Sequence, residues 1–276
     1  IYSTKKGGGV PHVHISDIDN FEIPVPPVDV QSKIVEILDC FSSLEAELEA
    51  ELEKRKRQYV YYRDMLLNFS DRKDVDWLTV NDVFEMRNGY TPSKSNRQFW
   101  EGGTIPWFRM DDIRANGRIL SDSILHITDK GVKGKGLFEA NTFILATSAT
   151  IGEHALLTTD SLANQRFTNL KIKETLIQKL DLKFVFYYFF VIDDFCKHHS
   201  NKSGFESVDM DALRKMPYPI PALEEQRRIV GVLDKFESLT ESLAAGLPAE
   251  IIARRKQYEY YRDKLLTFKR KEETAP

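Results

Sequence analysis

At 276 residues the chain is long enough for roughly one to three domains with a real core. Its 42% hydrophobic and 29% charged composition is that of an ordinary soluble globular protein, which excludes disordered and fibrous classes. A net charge of −3 excludes a globally basic nucleic-acid binder, but one basic face backed by an acidic one stays compatible with it. No apolar run reaches membrane-spanning length: Phe184–Ile192 is too short and reads as a buried element. Cys40 and Cys196 form no framework of spaced pairs, which fits a reducing cytoplasm.

In chain order, residues 1–22 read as the end of a domain, because Gly9–Ile18 aligns with Gly204–Leu213 much later in the chain. The same long-range echo continues. Ile23–Phe41 returns as Tyr218–Phe236, and Arg57–Phe69 returns as Lys256–Phe268. Two copies of one helical unit thus flank a dissimilar middle, too few and too far apart for a solenoid. The expected boundaries are a tail at 1–22, a first helical connector at 23–70, a globular domain at 71–215 and a second connector at 216–276.

Pro24–Pro27 predicts an extended lead-in, and a helix begins near Asp29, whose carboxylate suits the first turn. Apolar residues then recur at 34, 37, 41, 44, 48, 52, 59, 62, 66 and 69, a coiled-coil seam with one extra step of four. The second copy is interrupted by Gly246-Leu-Pro248, where a break is expected before helix resumes.

The middle segment changes character, and its 20 basic and 20 acidic residues balance. Strands are predicted at 76–80, 104–109, 143–147, 155–158 and 168–172, and helices at 81–84, 123–130 and 183–196. Asn88–Asn96 is a loop rich in turn formers, and Gly131–Gly136 a basic, flexible turn. The fold class is α+β, with a mainly antiparallel or mixed sheet.

Catalytic and cofactor signals are absent. Gly131–Gly136 lacks P-loop spacing, no dinucleotide glycine motif sits between strand and helix, and no nucleophile–base arrangement stands out. No cofactor or metal is expected. His12 and His14 correspond to Ser207 and Asp209 in the repeat, so the fold does not need histidine there. The adjacent carboxylates Asp111–Asp112 and Asp193–Asp194 read as solvated faces or helix ends.

Binding features are stronger. Asn88, Tyr90, Thr91, Ser93 and Lys94 lie on the turn-rich loop. Trp107 and Arg109 share one strand face, and Gln165, Arg166 and Lys202 add amide and basic groups. Arginine suits guanine edges, and lysine, serine and threonine suit phosphates. The competing reading makes Trp107 and Phe167 core and pairs the arginines with surface acids.

The Ile23-Pro-Val-Pro opening with Gln31, Ile34-Val, Leu38-Asp and Phe41, and the Arg57-Gln-Tyr-Val-Tyr-Tyr-Arg-Asp-Met-Leu-Leu-Asn-Phe69 close, with both returning copies, resemble the conserved regions of Type I restriction-modification specificity subunits. Val83–Lys94, Trp100–Arg109, Thr150–His154 and Asn164–Phe167 resemble a target recognition domain of that family. The resemblance implies a non-catalytic subunit that reads double-stranded DNA and gathers two methylation subunits and, for cleavage, restriction subunits. S-adenosylmethionine and ATP would belong to those partners. It implies that 1–22 is the tail of a first recognition domain, most of which this sequence lacks. It also implies antiparallel connectors that set the spacing of two half-sites. Arg57, Tyr61 and Arg63, with Lys256, Tyr260 and Arg262, are the expected partner-binding residues. Three rivals stand beside this reading: a half-size specificity protein that homodimerises to read a palindromic site, a coiled-coil module without DNA affinity, and a piece of a fused restriction-methylation enzyme. The last is disfavoured by the lack of an Asn-Pro-Pro-Tyr or Asn-Pro-Pro-Phe motif.

Overall fold

A computed structural model describes residue 19 and residues 22–201, 206–240 and 246–269. In chain order the elements are α1 (Val28–Leu66), β1 (Asp76–Thr79), α2 (Val80–Val83), β2 (Phe84–Asn88), β3 (Ile105–Phe108), α3 (Met110–Asn116), β4 (Ile119–Leu120), β5 (His126–Ile127) and β6 (Thr142–Ala146). They continue as β7 (His154–Leu157), β8 (Leu162–Ala163), β9 (Phe167–Ile172), α4 (Leu182–His198), β10 (Ser200–Asn201), β11 (Ser207–Val208), α5 (Met210–Lys215), β12 (Pro217–Ile220), α6 (Leu223–Thr240) and α7 (Gly246–Leu265). Two compact units emerge: residues 57–237, and residues 1–56 with 238–276. The expected tail at 1–22 lies almost wholly outside the described residues.

In the larger unit, a five-stranded mixed sheet has the order β2-β9-β6-β7-β4, with only β4 and β7 parallel. A second sheet, β5-β3-β8, places β3 parallel to β8. β6, β7 and β9 are buried almost throughout, and the buried Thr168 and Asn169 of β9 are satisfied by bonds to Asn88, Thr142 and the Phe143 carbonyl. α4 lies in the core: Phe189 stacks on Phe143 at 4.6 Å and meets Phe84 edge-on at 5.7 Å. Asp181 caps α4 by accepting the N–H groups of Lys183 and Phe184. At its other end the His198 and His199 rings meet the Asp194 and Phe195 carbonyls, as a C-terminal cap would.

Two readings are corrected. The helix predicted over 123–130 is instead a loop with the short strand β5, because its local hydrogen bonds are taken elsewhere. The Ser123 hydroxyl donates to the Leu125 carbonyl and accepts the Trp107 N–H at 2.9 Å, and Asp112 takes the Ile124 N–H at 2.6 Å. Asp111 and Asp112 lie at a helix end as expected, in the first turn of α3, but the pairs are not solvated throughout. Asp112 is fully buried and accepts the Arg109 N–H. Asp193 is buried against His154 at 2.6 Å and Arg118 at 3.5 Å. Burial holds the His154 imidazole below its ordinary pKa, opposed by the Asp193 charge.

The two connector copies repeat in detail. Gln31 donates to the Pro26 carbonyl at 2.7 Å, and Gln226 donates to the Pro221 carbonyl at 2.7 Å. Buried Gln226 does more: it also donates to the Lys179 carbonyl and accepts the Asp181 N–H, both at 2.8 Å. Within the smaller unit α1 and α7 run antiparallel, since Phe41 stacks on Tyr261 while Glu45 and Glu49, further along α1, pair with the earlier Arg255. Within the larger unit the equivalent ring pair is Tyr62 on Phe236, at the same 5.4 Å. Tyr187 adds hydroxyl bonds to Asp234 and Glu237 of α6, and burial followed by these bonds raises its pKa.

Arg72, Glu225 and Arg228 form a further tie in the larger unit. Both arginines lie 2.6 Å from Glu225, and bonds from Arg228 and then Arg72 push that carboxyl down to about 2. The folded value lies below the ordinary 4.5. Its stabilisation is therefore complete above about 4.5 and is lost as pH falls toward 2. Glu225→Gln should flatten the dependence of melting temperature on pH across that window. An unchanged slope would show that the cluster does not couple to folding.

Candidate nucleic-acid interface

β2 ends at Asn88 and β9 begins at Phe167, so the antiparallel pair brings the 89–96 loop beside 164–168. The Gly89 N–H bonds to the Phe167 carbonyl at 2.8 Å, and the Tyr90 N–H to the Ala163 carbonyl at 2.9 Å. A Cβ on Gly89 would lie 2.3 Å and 2.4 Å from the Asn164 and Ala163 oxygens. Glycine is therefore required by close backbone approach, not by its φ.

β3 and β8 are parallel, so the residues that follow each emerge together. The Asn164 N–H bonds to the Phe108 carbonyl at 3.0 Å, which sets Arg109 next to Asn164–Arg166. The Asn164 side chain accepts the Arg166 N–H at 3.0 Å. Thr91 donates its hydroxyl to Gln165. Thr168 donates to Asn88 at 3.0 Å and meets Thr147 at 3.1 Å. Asn88, Tyr90, Thr91, Arg109, Gln165 and Arg166 thus gather at one end of the two sheets.

These residues are not equivalent. Gln165 and Arg166 are exposed, and the Arg166 guanidinium has no hydrogen bond or ion pair among the described residues. Arg109 is largely covered, with its guanidinium 3.3 Å from Asp111. Trp107 and Phe167 are core, and the Trp107 indole donates to the Tyr90 carbonyl at 3.0 Å. Ser93 bonds Ser95 at 2.9 Å, and its carbonyl accepts the Trp100 indole N–H. Lys94 is exposed. Lys202, His12 and His14 lie outside the described residues.

Arg87, Lys133, Lys135 and Arg214 join this end from outside the expected set, lining a cleft with Asn88, Tyr90 and Thr168, and Thr147 meets Thr168. Lys133 and Lys135 belong to the Gly131–Gly136 turn. The basic-and-glycine composition of that turn was a signal, but nothing local placed it beside Tyr90. No group of three or more histidine, cysteine or acidic side chains suited to a metal occurs among the described residues. No helix among them is long and apolar enough to cross a membrane.

On the connectors, Tyr61 and Tyr260 are 65% and 60% exposed, while Tyr59 and Tyr62 face inward. Arg63 pairs with Asp64 and lies 4.5 Å above the Phe190 ring, and Arg262 pairs with Asp263. Lys256 is exposed, and Arg57 is exposed with interactions of its own.

The sequence profile of the Type I restriction modification DNA specificity domain matches residues 1–54 and 72–253. The chain belongs to this family. Among relatives of this specificity family, the Escherichia coli Type I restriction enzyme EcoprrI specificity subunit is 52% identical over 209 residues, 73% of this chain and 52% of that one. The EcoR124I/EcoR124II specificity subunit of the same organism is 37% identical, over 94% of this chain and 66% of that one. The chain thus spans about half the length of the first relative and under two thirds of the second. A crystal structure of the HsdS subunit from Thermoanaerobacter tengcongensis shares the fold with a TM-score of 0.59 and 19% identity, over 96% of this chain and 65% of that one. A chain from a type I restriction-modification assembly shares it at 0.70 and 18%, over 94% and 65%.

Proposed function

We propose that this chain is the sequence-reading part of a Type I restriction-modification enzyme, binding double-stranded DNA without catalysing a reaction itself. The observation that carries the reading is the gathering of amide, hydroxyl and guanidinium groups from three separate segments at one end of the sheets. Asn88, Thr91, Gln165 and Arg166 have the donors and acceptors that base edges require, while Ser93, Lys94 and Lys202 suit phosphates. Arg109 and Tyr90 border them. Two methylation subunits, and restriction subunits for cleavage, are the proposed partners, with the connectors setting half-site spacing. A DNA-reading role fits a protein of the cytoplasm. Selection from a randomised duplex pool should enrich one short motif. A pool that enriches nothing, with the chain folded, would favour an assembly module without DNA affinity.

Tyr61 and Tyr260 are offered as repeat-related anchors for the methylation subunits, with Arg57, Arg63, Lys256 and Arg262 around them. Buried aromatic anchors typically cost about 2 kcal/mol or more when truncated, roughly thirtyfold in affinity. Tyr61→Ala with Tyr260→Ala should therefore lose co-purification with methylation subunit while keeping the melting temperature. Undiminished capture would count against this surface.

A further inference from the structure

The Gly131–Gly136 turn is built, not loose. On one side the Tyr90 hydroxyl accepts the Lys133 N–H at 2.7 Å and donates to the Gly131 carbonyl at 3.2 Å. The Lys133 ammonium lies 4.9 Å over the Tyr90 ring. On the other side Arg87 donates to the Lys135 carbonyl, and its guanidinium lies 4.5 Å over the buried ring of Phe138. The Gly136 N–H closes the turn on the Lys133 carbonyl at 2.9 Å, with Gly136 at a φ of 68° that favours glycine.

What the turn presents outward is cationic. Lys133, Gly134 and Lys135 are exposed. Neither lysine is paired with a carboxylate, and the amides of Gly134 and Lys135 make no hydrogen bond, among the described residues. The turn lines one cleft with Arg87, Asn88, Tyr90, Thr168 and Arg214. Arg214 is already paired with Asp211 at 3.0 Å, and Arg87 is held against the Lys135 carbonyl and the Phe138 ring, so the lysines carry the exposed unbalanced charge. Free amides and two ammonium groups on one exposed turn are the donors and charge that an anion requires.

We infer that Lys133 and Lys135 clamp a backbone phosphate of duplex DNA, and that Tyr90 and Arg87 are positioning residues that hold the clamp against the reading loop. The inference rests on the DNA-reading function proposed above, and assigns Tyr90 a contact role through the turn instead of through a base. A phosphate anchored here fixes the register of Asn88–Lys94 on the duplex without carrying sequence information itself.

The test is the salt dependence of binding to a labelled duplex carrying the enriched motif, and to a randomised duplex, using the full chain. Each neutralised phosphate contact contributes about 0.9 to the slope of log affinity against log salt. The Lys133→Ala/Lys135→Ala variant should flatten the slope by about one on both duplexes, and each single change by no more than that, with the ranking of sequences and the melting temperature unchanged. Lys133→Arg and Lys135→Arg should restore it. Tyr90→Phe should flatten the slope in the same direction, and combining it with Lys133→Ala should add little. An undiminished slope in the Lys133→Ala/Lys135→Ala variant would overturn the clamp while leaving the proposed function intact. A changed sequence ranking would overturn the phosphate assignment in favour of base contact. Loss of all duplex binding by the unaltered chain would remove both readings.

Discussion

Gly89→Val should displace the reading loop and abolish motif selection from a duplex pool. A Cβ at this position meets two main-chain oxygens at 2.3 Å and 2.4 Å, and main chain cannot rotate away as a flexible side chain can. Overpacking of this kind costs typically about 1–3 kcal/mol. Relief of the clash also breaks the Gly89–Phe167 and Tyr90–Ala163 bonds, each worth about 1 kcal/mol net. The expected result is a lower melting temperature, retained helical circular dichroism and a flat enrichment profile. A folded Gly89→Val chain that still selects the same motif would show that the loop does not read sequence.

The two arginines at the same end should part company. Arg166→Ala should relax preference at one base position by about 1–3 kcal/mol, the worth of a bidentate contact to guanine. Its side chain is exposed and uncommitted, so the melting temperature should move by less than about 0.5 kcal/mol equivalent. Arg109→Ala should lower the melting temperature first, because Arg109 is largely covered, has its Nε buried and is paired with Asp111. Parallel thermal melts and pool selections distinguish the outcomes. An Arg109→Ala/Arg166→Ala chain that folds and keeps its motif would sink the assignment of both.

Much of the architecture was legible because its determinants are local. The three-to-four spacing from Ile34 onward marks α1, and the apolar runs of β6 and β7 lie between turn formers. Where local signals failed, a distant group had taken over. The 123–130 segment carries a helix-like pattern, but Asp112 and Trp107 claim its hydrogen-bonding groups. Asp112 and Asp193 look like surface acids until the fold supplies backbone amides to one and His154 to the other. The loop at 88–94 was legible from its composition. The partnership of Tyr90 with the Gly131–Gly136 turn was not, since strand pairing and sheet order decide which distant turn a loop meets.

The glutamine ties at the connectors bear on how such a chain can diversify. Gln226 grips the 179–181 segment of the same unit through the carbonyl of Lys179 and the amide of Asp181, groups that every residue type except proline supplies in full. The grip is thus indifferent to the side chains at 179 and 181. Gln31 makes the matching bond to its own proline carbonyl. A joint written in main chain works as a standard fitting: side chains at 179 and 181 can change while the carbonyl and amide that Gln226 grips stay in place.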